Sequence, residues 1–194
     1  MFDAVFLQQQ QQLYLNYQQH DAAQDHRLAR YRNIEPESAR FLAQQVVIQR
    51  SQNILEIGTS TGFSTLWLAK AAEITGGEIT TLEIDAVRSE MAEKQLMQFS
   101  LTTPVHFRVG DALQFLQHTQ QKFDFILLDA ERDAYVQYWQ YLPELLSSSG
   151  LCVVDNVLSH AKDVLEFKSL VESDARFLTT ILPLGAGLML LVKQ

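Results

Sequence analysis

The run Asn53–Ala69, NILEIGTSTGFSTLWLA, reads as a buried strand, a glycine turn and a helix, and it sets the frame for the whole chain. Asn53–Ile57 is short and apolar apart from Glu56, as a strand covered on both faces should be. Gly58 and Gly62 bracket a G-x-x-x-G turn, through Thr59 and Ser60, where the backbone can bend tightly and approach a ligand. The helix Gly62–Ala72 follows. This spacing is not the G-x-G-x-x-G of dinucleotide sites, and neither Lys nor Arg lies in the turn. A glycine turn before a helix can hold an anion, but Glu56 just ahead of it suits an amine or a sulfonium better than a pyrophosphate.

Outward from this unit the pattern alternates. Strands are expected at Glu78–Glu83, Val105–Val109, Phe123–Leu128, Leu151–Val154, Phe177–Leu182 and Leu188–Val192. Helices are expected at Ala86–Phe99, Ala112–His118, Asp133–Leu146 and Lys162–Glu172, with Pro143 inside or near the end of the third. Only Pro183–Gly187 joins the last two strands, too short for a crossover helix, so that pair is expected to be antiparallel. Before Asn53, residues 3–20 read as a helix with loosely spaced apolar positions. Residues 21–33 are polar and carry Arg27, Arg30 and Arg32, and Glu35-Pro36-Glu37 opens a further helix. The expected fold class is α/β: a Rossmann-like three-layer sandwich whose seven-stranded sheet is mostly parallel with an antiparallel last strand. The expected organisation is a single domain over 1–194, with 1–32 a helical extension and 33–194 the core.

Composition bounds what such a domain can do. The chain has 194 residues, 47% hydrophobic and 20% charged, which is globular composition. Fifteen basic against 23 acidic residues leave a net charge of −8 and an isoelectric point near 5.0. A uniformly acidic surface repels phosphate backbones and disfavours broad nucleic-acid binding. The single cysteine, Cys152, excludes a disulfide framework within the chain and fits a reducing compartment. No stretch approaches the roughly 20 apolar residues of a membrane helix. The first 21 residues lack a basic leader followed by an apolar block, so a cytoplasmic location is expected.

In an open parallel sheet, ligands bind outside the carboxyl ends of the strands. Each expected parallel strand carries a carboxylate in or beside that end. Glu56 lies in the first strand, and Glu83 and Asp85 end the second. Asp111 follows the third, Asp129 and Glu131 the fourth, and Asp155-Asn156 the fifth. Glu83 lies where an acid hydrogen-bonds a ribose, although it could equally be a helix N-terminal charge. Asp111 suits either a helix cap or an acceptor for an adenine amino group. Asp129, Asp155 and Asn156 supply hard oxygen donors for Mg²⁺ completed by water and substrate oxygens, and Asp155-Asn156 equally suits a plain turn.

Taken together, EIGTSTGFSTLWLA (56–69), TLEID (81–85), GDAL (110–113), FILLDAER (125–132) and VVDNVL (153–158) resemble class I S-adenosylmethionine-dependent O-methyltransferases. More narrowly, the chain is similar to the catechol and caffeoyl-CoA O-methyltransferases and their small bacterial members, from about Asn33 to Gln194. The resemblance implies a cofactor methionine near Ile34, Glu56, Gly58, Ser60 and Ser64. It implies a ribose on Glu83, an adenine beside Ile84, Asp111 and Ala112, and a divalent metal on Asp129, Asp155 and Asn156. It also implies a homodimer. One position departs from it: Arg132 stands where the catechol type carries a lysine base. Arginine stays protonated and cannot be that base, but it can stabilise a phenolate or bind an acidic substrate group. Glu131 and His160 are then the candidate bases. Tyr31, Tyr135, Tyr138 and Trp139 are candidates to cover the acceptor. Three other readings stand beside this one: a tRNA-modifying enzyme using Arg27, Arg30, Arg32 and Arg40, a nicotinamide-dependent oxidoreductase, and a non-catalytic cofactor-binding protein.

Overall fold

In the computed structural model, which describes residues 2–194, β1 (Asn53–Ile57) is a central strand with Ile54 to Ile57 fully buried. It pairs in parallel with β2 (Glu78–Glu83) on one side and β4 (Phe123–Leu128) on the other. β3 (Val105–Val109) extends the sheet beyond β2, and β5 (Leu146–Val154) extends it beyond β4, again in parallel. β7 (Leu188–Lys193) runs antiparallel between β5 and β6 (Phe177–Leu182), giving the order β3-β2-β1-β4-β5-β7-β6. The strand direction of winding therefore reverses between β1 and β4, which opens a crevice at their carboxyl ends.

Side chains alternate across the pleat and define two cores. Ile54, Phe125, Leu127 and Val153 face one side. There they meet α1 (Ala4–Ala22), α2 (Pro36–Gln49), α3 (Phe63–Thr75) and α4 (Ala86–Gln98) through Phe6, Leu42, Trp67 and Leu96. Leu55, Ile57, Ile126, Leu128 and Val154 face the other side. There they meet α5 (Ala112–His118), α6 (Tyr135–Trp139), α7 (Leu142–Leu145) and α8 (Leu165–Glu172) through Leu116, Tyr135, Trp139, Leu142 and Phe167.

Three elements differ from the sequence expectation. The helix expected over Asp133–Leu146 is broken into a 3₁₀ turn (Arg132–Ala134), α6 and α7. Pro143 lacks an amide hydrogen and its ring would meet the Trp139 carbonyl of a continuous helix, so α6 stops at Trp139. β5 starts at Leu146 rather than Leu151. Ser147–Gly150 reads as a loop by composition, but it passes alongside β4 in a bulge where pairing jumps from Phe123↔Leu146 to Phe125↔Leu151 and Ser149 takes φ +61°. The helix expected from Lys162 begins at Leu165, because residues 157–164 form turns after β5. The loosely patterned first helix, α1, is capped by Asp3 and packs directly on α3. Phe6 meets Trp67 edge-to-face at 5.3 Å, and the Tyr17 hydroxyl donates to the Thr61 carbonyl at 3.1 Å.

The corner between β1 and α3 depends on Gly58. Its φ is +105°, and a Cβ added there would stand 1.9 Å from the Asp129 carbonyl oxygen. Gly58→Ala combines backbone strain with a backbone clash, so it should lower folding stability by about 3 kcal/mol, read as a fall in the urea midpoint.

Candidate active site

The carboxyl ends of β1 to β5 frame a cleft of about 730 Å³. Its floor includes Gly58 and Ser60 in the β1 turn and Ser64 in the first turn of α3. One end is built from Glu83, Ile84, Asp111 and Ala112, the other from Asp129, Glu131, Arg132, Asn156 and His160. Ile34 lines it from the segment that precedes α2. Glu56, Thr59, Gly62 and Asp155 do not reach the wall; they lie behind it.

Glu83 is oriented by backbone. Its Oε2 accepts the Ser60 amide at 2.8 Å and its Oε1 the Asp85 amide at 3.0 Å. A carboxylate has about four acceptor positions, so two remain for a diol in the cleft. Beside it Ile84 is 77% exposed, an apolar surface for a flat ring. Asp111 caps α5 by accepting the Leu113 amide at 2.8 Å, while its side chain still lines the cleft.

Glu56 serves the turn from beneath. Its Oε2 accepts the hydroxyls of Thr65 and Thr81, each at 2.6 Å, and Thr81 in turn meets Thr59 at 2.5 Å. Its Oε1 is buried without a partner. Burial pushes the carboxyl up to about 7, against the nearby hydroxyls of Ser64, Thr65 and Thr81 that hold it down.

At the other end the Asn156 side-chain amide bridges two acids, 3.0 Å from Asp129 Oδ1 and 3.1 Å from Asp155 Oδ2. Burial raises both carboxyls well above the usual range. For Asp155 the Asp129 charge adds to it, and for Asp129 the Glu56 charge does. Asp155 Oδ1 is buried and unpartnered. Two crowded carboxylates with an orphaned oxygen, beside an amide that presents its own oxygen on rotation, fit a hard divalent cation. No cluster of three or more His, Cys, Asp or Glu occurs among the described residues, so a cation held here would take its remaining positions from water or a bound ligand.

The two candidate bases differ. Glu131 pairs with Arg27 at 3.1 Å and Arg32 at 2.9 Å. Burial raises its carboxyl, but these guanidinium contacts outweigh it and leave it below the ordinary value. His160 lines the cleft with Nδ1 2.9 Å from the Ser159 hydroxyl. Arg132 is largely buried, and its Nε lies 3.5 Å from Asp163, long for a hydrogen bond. Of the candidate aromatics, Tyr31 and Tyr138 line the cleft, whereas Tyr135 and Trp139 belong to the core. The Tyr135 hydroxyl instead holds the Ala130 backbone, donating to its carbonyl at 3.1 Å.

Sequence reasoning missed the strap over the cleft, Arg27–Asn33. Arg88 of α4 donates to the carbonyls of Leu28 and Arg30 at 2.7 and 2.9 Å. Asp21 accepts the amides of Tyr31 and Arg32, and Ser60 donates to the Tyr31 carbonyl at 2.8 Å. The dense arginines at 27, 30 and 32 were the available signal. Each makes a surface contact within the chain: Arg27 and Arg32 pair with Glu131, and Arg30 bonds the Gln24 carbonyl, while Arg40 sits over Trp67 at 5.8 Å.

The sheet order, the crevice at its switch point and the acidic strand ends define a Rossmann-like α/β class with a ligand cleft at the strand ends. The sequence profile described as O-methyltransferase matches residues 8–194, and the chain belongs to that family. It is 33% identical to a catechol O-methyltransferase of Niastella koreensis over 134 residues, covering 67% of this chain and 60% of that protein's own length. It is 29% identical to caffeoyl-CoA O-methyltransferase 1 of Eucalyptus globulus over 177 residues, covering 79% and 72%. The crystal structure of the Bacillus cereus O-methyltransferase in complex with SAH matches with a TM-score of 0.78 at 27% identity, over 93% of this chain and 90% of that one.

Glu56 makes stability depend on pH with a definite sign. A carboxyl raised to about 7 in the fold holds its proton where the unfolded chain has lost it. Its contribution is therefore lost as pH rises through that window, by roughly 3 kcal/mol at pH 8. Glu56→Gln should flatten the slope, so that urea midpoints at pH 5 and pH 8 lie closer together than in wild type.

Proposed function

We propose that this chain is an S-adenosylmethionine-dependent O-methyltransferase acting on a hydroxyl of a small, catechol-like acceptor with a divalent metal, Mg²⁺, as helper. The observation that carries the reading is the division of one cleft into two chemically different ends. Glu83 and Ile84 offer a diol acceptor and an apolar ring platform at the end of β2. Asp129 follows β4 and Asp155-Asn156 follow β5, two and three strands away, roughly 10 to 14 Å across the sheet. That separation suits a nucleoside at one end and a hydroxylated acceptor at the other, with the reacting atoms between them over Gly58.

Asp129, Asp155 and Asn156 would hold the cation. When bound, it supplies Lewis acidity that lowers the pKa of a coordinated hydroxyl. Glu83, Ser60 and Asp111 bind and orient the donor. The strap and Tyr138 exclude water, and Arg132 adds a fixed positive charge near a developing phenolate. The main contribution is alignment of two bound molecules at reacting distance. The lone buried Cys152 supports the cytoplasmic reading, and the family resemblance supports a homodimer.

The donor half is tested by calorimetry with S-adenosylmethionine and S-adenosylhomocysteine. Glu83→Ala should weaken both by at least about tenfold, the worth of one charge-assisted hydrogen bond. The metal half is tested by Asp155→Ala, which should abolish Mg²⁺-dependent methyl transfer to catechol while S-adenosylmethionine still binds. Full turnover in that variant, or in excess chelator, rules out the metal role.

A further inference from the structure

With Arg132 permanently protonated and Glu131 held by two arginines, the acceptor's proton is left to His160 or to a further group of the cleft. A further carboxylate, Glu35, lines the cleft. Glu35 is the residue before Pro36 and the N-cap of α2, yet its side chain does not cap that helix. Its backbone is fixed by Pro36 and by the Ala39 amide, which donates to its carbonyl at 2.9 Å. Its carboxylate lies against Gly185 in the β6–β7 loop: a Cβ there would stand 2.7 Å from Glu35 Oε2 and 2.3 Å from Ser38 Oγ. Glycine at 185 is what leaves room for the acid.

The same loop reaches the acceptor end of the cleft. The Gly187 carbonyl accepts the Val157 amide at 3.1 Å, and the Ala186 carbonyl accepts those of Leu158 and Ser159. One rigid loop thus ties Glu35 to the backbone immediately after Asp155-Asn156. The Glu35 charge is felt at both Asp129 and Asp155, and at Tyr14 on α1. Among the described residues its carboxylate makes no hydrogen bond and no ion pair, in contrast to Glu131, Glu83 and Asp111. A cleft-lining acid held in place by backbone and left with free acceptor oxygens is equipped to receive a proton.

We propose that Glu35 takes the proton from the acceptor hydroxyl. The proposal rests on the methyl-transfer reading above. In the step, the acceptor O–H bond breaks to the Glu35 carboxylate, and the freed oxygen pair forms a bond to the methyl carbon of the sulfonium donor. The carbon–sulfur bond breaks with its pair left on sulfur. A carboxylate and a sulfonium become a carboxylic acid and a thioether, so charge and atoms balance.

The test compares wild type, Glu35→Gln, Glu35→Asp and His160→Asn, using catechol, Mg²⁺ and S-adenosylmethionine. Glu35→Gln should lower kcat about a hundredfold with KM little changed, and Glu35→Asp should recover part of the loss. Calorimetric affinity for S-adenosylmethionine should be the same in Glu35→Gln as in wild type. A Glu35→Gln variant as active as wild type overturns the proposal, and so does a loss carried by His160→Asn instead. Weakened donor binding with unchanged kcat overturns it too, and assigns Glu35 to the donor. A wild type that binds S-adenosylmethionine yet transfers no methyl group to catechol overturns the methyl-transfer reading and the proposal with it.

Discussion

The contact of the Gly58 backbone with the Asp129 carbonyl is the constraint on which the site rests. Two parallel strands must end side by side for the winding to reverse between them, and here they end so close that no side chain fits at position 58. The Gly58 and Thr59 amides both donate to the Leu82 carbonyl, which ties the same turn to β2. The Asp129 amide donates to the Ile57 carbonyl, which ties β4 to β1. Three strand ends thereby share one corner, and Glu83, Ser60 and Asp129 take their positions from it. The polar layer beneath the corner, with Glu56 between Thr65 and Thr81, satisfies one carboxylate oxygen and strands the other. An isolated buried acid of this kind costs stability when it ionises, so its presence under the turn is not explained by folding alone.

Much of the frame was legible because periodicity and strand-end chemistry are local. Five short strand-like runs, each with an acid in or beside its carboxyl end, specify a parallel sheet with its ligand edge on one side. The antiparallel β7 was legible from the length of a loop. What failed was also local. The serines before Leu151 carry little strand preference, and they bulge out between the Leu146 and Leu151 pairings to β4. Pro143 marked a break, but whether the chain resumed as a second helix depended on Leu142 and Leu145 finding the core on that face.

The site was legible only as far as single strand ends reach. Gly58, Glu83, Asp129 and Asn156 come from the ends themselves and meet in the cleft. The strap, Arg88 and Glu35 come from segments distant in sequence, and nothing in their own neighbourhoods announces where they meet. Glu35 reads as an ordinary helix-opening acid beside Pro36, and only the room left by Gly185 sets it apart. Glu131 reads as a free carboxylate until Arg27 and Arg32 are seen to hold it.

The strap is fastened differently from everything beneath it. Its 3₁₀ turn, Arg27–Ala29, buries no residue, and Leu28 is 69% exposed. Its anchors are ion pairs and hydrogen bonds, most of them at the surface. Such anchors weaken with added salt, whereas the apolar cores on either side of the sheet do not. One chain thus contains two cooperative units: a sheet whose amides open only with global unfolding, and a cover whose amides exchange by a local opening of much lower free energy. A protease would find the chain between His26 and Arg32 while the rest of the domain stayed folded.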